Sequence, residues 1–264
     1  MTVRWSTPAT KAPPPRIAVI LHAHYPDVAV ELINAVNDMG VSFDLFVTTS
    51  RDDVSDAIEQ TVPTNARAVT VFEVENFGRD VMPFIRILDT FGLDQYAAVL
   101  KLHTKKTVGQ SYGDVWRNEI IGQLIPSASH AKSFLARLDS TGWGIFGPSS
   151  FLLTDSSRFW GANRARTTKL RHRFNYTGGT KDLEFFAGTM FWFKPAALQR
   201  LPDIVREESW EKERGQLDGT LAHAIERILV DVARANRYAI GSSDEPYREL
   251  PDAATAANAY PGAR

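Results

Sequence analysis

The 264-residue chain has no cysteine, which excludes a disulfide framework and any thiolate metal site or nucleophile. No apolar run approaches the roughly 20 residues needed to span a bilayer. The segment ahead of Ile17 carries Arg4 and Lys11 but lacks the apolar core of a secretory signal. Charge of one sign is missing as well. The 30 Lys and Arg nearly balance 31 Asp and Glu, leaving a formal charge of -1 that argues against nucleic acid as a partner. No Gly-x-x-x-x-Gly-Lys-Ser/Thr segment occurs, which counts against a P-loop enzyme. There is no internal repeat.

What is present suits a sizeable core, since 44% of the residues are hydrophobic. Residues 1–15, ending in Pro13-Pro14-Pro15, read as a flexible leader, and residues 250–264, rich in Ala, Pro and Gly, as a flexible tail. Residues 16–249 are expected to form a single soluble domain.

The first half of that domain alternates strand and helix. Ile17 to Leu21 is a continuous apolar run, as in a strand covered on both faces. Pro26 suits a first helical turn, with Val28, Leu32, Ile33, Val36 and Met39 following at helical spacing and Gly40 as the stop. Phe43 to Thr48 and Ala68 to Val74 read as strands flanking a short helix from Asp52 to Gln60. Asp80 is placed as the cap of a helix whose apolar face is Phe84, Ile85, Leu88 and Phe91, and Tyr96 to Leu100 as a fourth strand. Four β-α units in succession predict an α/β fold: a mainly parallel sheet with helices on both faces. Ligands of such sheets bind at the carboxyl ends of the strands, where His22, Thr48, Asn76 and Lys101 fall.

The second half is less regular. Helices are expected over 114–124, 131–138 and 217–232, and strands over 144–147 and 186–193. Between the strands lies a basic stretch from Arg158 to Arg173, read either as a lid over a diphosphate or as an irregular exposed loop.

Each candidate group has a plain structural reading beside its chemical one. Asn76, Gly78, Arg79 and Asp80 suit a nucleotide diphosphate, because glycine admits close approach, a helix N-terminus favours anions and arginine binds oxygens in pairs. The alternative is an ordinary β-α loop. Lys101, His103, Lys105 and Lys106 suit stabilisation of a departing nucleoside diphosphate; the alternative is a solvated basic turn. His22, His24 and Tyr25, with Thr48 and Thr49, sit where a nucleoside would lie, or are structural. Gly188 and Thr189 let a sugar approach the backbone and Trp192 can stack on it, in a segment that otherwise reads as core strand. Asp218, then Glu226 with His223, and further Glu184, are the candidate acid–base groups. For His223 and Glu226 the alternative is a solvated helix face with Arg227 as counter-ion.

Four segments carry a resemblance: Asn76-Phe77-Gly78-Arg79-Asp80, Lys101-Leu102-His103-Thr104-Lys105-Lys106, Ala187-Gly188-Thr189-Met190-Phe191-Trp192 and Gly219-Thr220-Leu221-Ala222-His223-Ala224-Ile225-Glu226-Arg227. In these the chain resembles the rhamnan synthesis F (RgpF-type) proteins of bacterial polysaccharide assembly. The resemblance implies a GT-A-like glycosyltransferase that adds a deoxyhexose, such as rhamnose, to a surface polysaccharide or lipid-linked glycan. Many such proteins carry this domain within larger chains. Nucleotide-sugar enzymes commonly place an acidic, metal-binding motif where this chain has Lys101-Leu102-His103. The expectation is therefore an inverting enzyme without cofactor or obligatory divalent metal. It would use a nucleotide-sugar donor, in the cytoplasm or peripherally at the inner membrane face. The alternatives are a non-catalytic glycan- or partner-binding module of the same fold, and a transferase of sulfate or phosphate.

Overall fold

A computed structural model describes residues 1–9, 16–104, 113–140, 142–154, 157–176 and 183–243. The chain begins with β1 (Thr2–Ser6), β2 (Ile17–His22), α1 (Pro26–Asn37), β3 (Phe43–Thr49) and α2 (Asp52–Glu59). It continues through β4 (Ala66–Glu73), α3 (Val81–Thr90) and β5 (Ala98–His103). Two helices, α4 (Gly113–Leu124) and α5 (Ala128–Ser140), lead to β6 (Trp143–Gly147), β7 (Leu152–Thr154) and α6 (Arg164–Arg173). Then come β8 (Glu184–Phe186), β9 (Phe191–Phe193), α7 (Pro195–Leu198) and α8 (Leu201–Val205). The last elements are α9 (Leu221–Glu226), α10 (Leu229–Ala235) and β10 (Ala239–Ser242).

Eight strands form one sheet in the order β1-β4-β3-β2-β5-β9-β6-β10, while β7 and β8 pair separately. The block β4-β3-β2-β5 is parallel, as the β-α alternation predicts. Beyond β5 the sheet turns mixed, because β9 runs antiparallel to both β5 and β6. Alternation along β2 explains the two covered faces. Ile17, Val19 and Leu21 join Val28, Leu32 and Val36 of α1 in one core. Ala18 and Ile20 join Phe84 and Ile87 of α3 with Leu221 and Ile225 of α9 in the other. A strand buried on both sides must be apolar at every position, and this one is.

Several segments differ from expectation. Thr2–Ser6, assigned to a flexible leader, is instead a strand antiparallel to β4, with Trp5 Nε1 donating to Ser55 Oγ at 3.0 Å. The expected strand 186–193 is broken between β8 and β9, where Gly188 and Thr189 take φ of 89° and 52°. The expected helix 217–232 starts only at Leu221, because Gly219 has φ of 81° and Thr220 is an extended N-cap. Leu217, placed on its apolar face, is 75% exposed. That helix is also interrupted, ending as α9 at Glu226 before α10 begins.

The basic stretch is ordered rather than irregular: a 3-10 segment precedes α6. Arg166 pairs with Glu211 at 2.5 Å, while Lys169 and Arg173 pair with Glu208 at 2.8 and 2.7 Å. Glu208 and Glu211 thus take up three of its cations, and Arg171 pairs with Asp231 at 2.7 Å.

Candidate functional site

In the parallel block the strand order reverses between β2 and β5, whose carboxyl ends lie side by side. His22 and His103 are register partners at those two ends, and Thr48 is the partner of His22 on the other side. A cavity of about 330 Å3 opens there. Its walls come from five places in the sequence: His22, His24 and Tyr25 after β2; Asn76, Arg79 and Asp80 before α3; His103 and Thr104 after β5; Gly188 and Thr189 before β9; His223 and Glu226 on α9. Glu213 and Gly215, from the loop ahead of α9, close one side.

The β2–α1 connection is fixed by Thr104, whose Oγ1 accepts the backbone N–H groups of His24 and Tyr25 at 2.7 and 3.1 Å. Thr48 stands behind His22, 3.0 Å from its Nδ1. Burial lowers the pKa of His22 to about 4, against the opposing pull of Asp80 and with help from His103 and Lys101. Burial likewise lowers His24, assisted by Arg51.

Lys101 is not a cavity cation. Its side chain is 1% exposed, and its ammonium donates to Asp80 Oδ2 at 2.5 Å, Thr189 O at 2.8 Å and Thr189 Oγ1 at 3.3 Å. Three donors meet three acceptors. Thr189 Oγ1 donates in turn to Asp80 Oδ2 at 2.5 Å. Asp80 therefore makes no side-chain cap for α3. Burial pushes its carboxyl up, but Lys101, His103 and the two hydrogen bonds outweigh that and hold it well below the usual carboxylate range.

The Gly188–Thr189 turn is held from every side. Gly188 N–H donates to Glu226 Oε1 at 2.8 Å, Gly188 O accepts from His103 Nε2 at 2.5 Å, and Thr189 O takes Lys101. Thr189 is β-branched at positive φ, as rare a placement as that of Arg79, with φ of 56°. Each costs about 1–3 kcal/mol and persists only where its surroundings enforce it. Both line the cavity.

Arg79 Nε donates to Glu213 Oε2 at 3.1 Å, and its Nη1 to His223 Nε2 at 2.7 Å. With Nε2 accepting, His223 Nδ1 carries the proton and donates to Thr220 Oγ1 at 2.7 Å, so Thr220 N–H, 3.4 Å from Nδ1, has no acceptor there. Gly78 lies beneath the loop: a Cβ there would sit 2.4 Å from the Trp210 ring, so its glycine serves packing rather than ligand approach. Among the described residues, no three His, Asp or Glu converge as a metal-binding group.

The sequence model described as rhamnan synthesis protein F matches residues 3–238. The chain belongs to the rhamnan synthesis F family. A WxcX protein of Xanthomonas campestris pv. campestris (strain ATCC 33913), described as uncharacterized, is 34% identical over 226 residues, covering 84% of this chain and 32% of that protein. The WxcX protein of strain B100 is 33% identical over 225 residues, with the same coverage. The chain thus spans about a third of the length of these curated relatives. Membership of the rhamnan synthesis F family ties it to polysaccharide synthesis. No helix among the described residues is long and apolar enough to cross a membrane.

Of the candidates taken from the sequence, the rhamnan synthesis F fold gathers His22, His24, Tyr25, Asn76, Arg79, Asp80, His103, Gly188, Thr189, His223 and Glu226 around one cavity. His223 and Glu226 are buried rather than on a solvated face, because Arg79 packs on His223 and the Gly188 turn on Glu226. Others stand elsewhere. Asp218 lies outside the lining, accepting from Ala162 N at 2.8 Å and from Asn163 Nδ2, and so holds the 3-10 segment before α6. Trp192 is a core residue whose Nε1 donates to Leu124 O at 2.8 Å, and it cannot stack on a ligand in this cavity. Thr49 is buried, with its hydroxyl on the backbone of Arg51, and Glu184 pairs with Arg234. Lys105 and Lys106 lie outside the described residues. The reading from sequence missed Thr104 and Glu213. Thr104 follows His103 directly and was within reach of the strand-end argument, whereas Glu213 sits in a loop with no periodic signal.

Proposed function

We propose that the protein is a GT-A-like glycosyltransferase that moves a deoxyhexose such as rhamnose from a nucleoside diphosphate to a surface polysaccharide or lipid-linked glycan. It would act on the cytoplasmic side, peripherally at the membrane where the acceptor is lipid-linked. One observation carries this reading. Residues from the ends of β2 and β5, the start of α3, the β8–β9 turn and α9 converge on a single cavity at the switch point of the parallel block. Membership of a polysaccharide-synthesis family supports the substrate class.

In this proposal the nucleoside lies beside His22, His24 and Tyr25, and the diphosphate faces Arg79. The acceptor hydroxyl attacks the anomeric carbon as the bond to the diphosphate oxygen breaks, with inversion. Glu226, the carboxylate among the catalytic candidates that lines the cavity, takes the hydroxyl proton. Arg79 meets the negative charge on the leaving diphosphate, displacing Glu213. No divalent metal is required, because the strand-end position holds Lys101 and His103, and Lys101 already engages Asp80.

Thermal melting against UDP-, GDP- and dTDP-sugars tests the reading, since a bound donor raises the midpoint by mass action. A panel in which no sugar nucleotide moves the midpoint refutes it. Transfer that EDTA abolishes and manganese restores refutes the metal-free part alone.

A further inference from the structure

Asp80 places both of its hydrogen bonds on one oxygen: Oδ2 accepts Lys101 Nζ and Thr189 Oγ1, each at 2.5 Å. The same residue lines the cavity, and Gly188 and Thr189 line it alongside. Lys101 does not line it. All three of its donors are spent on Asp80 and Thr189, and its stem runs between Phe84 and Phe191, with Nζ 5.3 and 6.0 Å from the ring centres. A buried ammonium in apolar surroundings contributes little to stability over a well-packed apolar side chain. Its presence is accounted for by what it holds: an aspartate and a turn at positive φ, locked in one geometry.

Resting on the proposed nucleotide-sugar reading, we infer that Asp80 is the sugar-recognition residue of this cavity, with Oδ1 accepting a hydroxyl of the transferred sugar, and that Lys101 is its positioning residue. Glycine at 188 removes a side chain from the same wall, so the sugar ring can lie against the turn. Charged acceptors of this kind select for hydroxyl donors, and their hydrogen bonds are shorter and stronger than neutral ones. A carboxylate kept ionised by Lys101 and His103 remains such an acceptor across the physiological range. The nucleotide half of the ligand touches neither residue.

Calorimetric titration of UDP, GDP and dTDP, each beside its UDP-glucose, GDP-mannose or dTDP-rhamnose counterpart, separates the two halves. For whichever pair the wild type binds, Asp80→Asn should leave the diphosphate within about twofold and weaken the sugar nucleotide at least tenfold. Thr189→Val, isosteric but without the hydroxyl that holds Oδ2, should show the same split to a smaller degree. It serves as the second variant if Asp80→Asn fails to fold by circular dichroism. Lys101→Met should reproduce the split at a distance, and Lys101→Arg should restore part of it. Wild-type affinity for the sugar nucleotide in folded Asp80→Asn or Thr189→Val overturns the inference, as does equal loss for both ligands. Wild-type protein that binds the diphosphates but discriminates against no sugar overturns the inference while keeping the nucleotide site. Wild-type protein that binds neither compound overturns both.

Discussion

Lys101→Met separates a structural counter-charge from a ligand-binding cation. The ammonium lies 2.5 Å from Asp80 Oδ2, with side chains 1% and 16% exposed, so neither group is screened by bulk water. Removing one member of such a pair strands the other and costs about 3–5 kcal/mol. Methionine keeps the straight stem between Phe84 and Phe191, so little of that loss is packing. Against a total stability of about 5–15 kcal/mol that loss is a large share, about 4 of 10 kcal/mol at the middle of both ranges. The double variant Lys101→Met, Asp80→Asn should recover to within about 1–2 kcal/mol of the wild type, because no stranded charge remains. Urea denaturation followed by fluorescence, with unchanged slope, measures both. The pH dependence has a defined sign. In the wild type Asp80 titrates well below its unfolded value, so its contribution is present above about pH 4 and lost as the pH falls further. Without Lys101 the effect of burial on Asp80 goes largely unopposed and its carboxyl takes up a proton more readily, so the gap between the two proteins should begin to narrow above about pH 4 and go on narrowing as the pH falls. A Lys101→Met protein within 1 kcal/mol of wild type at pH 7, or strictly additive single changes, would show that the pair is not the anchor described.

Three further outcomes follow from the same geometry. His22 has a folded pKa of about 4 against about 6.5 unfolded, so the unfolded chain takes up a proton that the native one refuses. Stability relative to His22→Gln should therefore fall by about 3 kcal/mol as the pH drops from 6.5 to 4, then level off; a flat difference in denaturation midpoints across that window contradicts it. Glu213 occupies the guanidinium of Arg79 in a partly exposed pair worth about 0.5–1 kcal/mol, so Glu213→Gln should tighten nucleoside diphosphate binding about two- to fivefold by calorimetry. Weaker binding instead would make Glu213 a ligand contact. Asp218→Asn should cost about 1–2 kcal/mol in urea melts through its bonds to Ala162 and Asn163 while leaving nucleotide affinity and sugar transfer intact; abolished transfer with full stability would return Asp218 to the chemistry.

The parallel block was legible because its signals are local. Ile17 to Leu21, the spacing of Val28 to Met39 and the glycine stops place strand ends and helix starts without tertiary information. Since ligands of parallel sheets gather at strand ends, part of the cavity came with them: topology placed His22 and Asn76, while Arg79 and His103 came from the charged segments that follow those ends. What escaped depends on contacts between distant segments. Nothing near Lys101 reveals that Asp80 and Thr189 will consume its charge, so it reads as a free cation. Trp192 alternates with Phe191 and Phe193 along β9, but both faces of that strand are core, and the helices that cover the Trp192 side are distant in sequence. The apolar stripe of α9 marks one buried side and is silent on the other, where Arg79 and the Gly188 turn meet His223 and Glu226. Thr2–Ser6 has no such local signal: it is a strand through its pairing with the distant β4, and a register shift between Val3 and Trp5 breaks simple alternation.

The pairing of β1 with β4 also orders events during translation. Thr2–Ser6 leave the ribosome ahead of the other strands of this sheet, yet their partner β4 is made only after β2, β3 and two helices. Until then β1 has no ladder to join, and β4 offers a bare row of amides and carbonyls once it docks on β3. Sealing that rim is necessarily a late step of assembly. Chains trimmed ahead of residue 16 should therefore survive synthesis but stick to one another through the uncovered border.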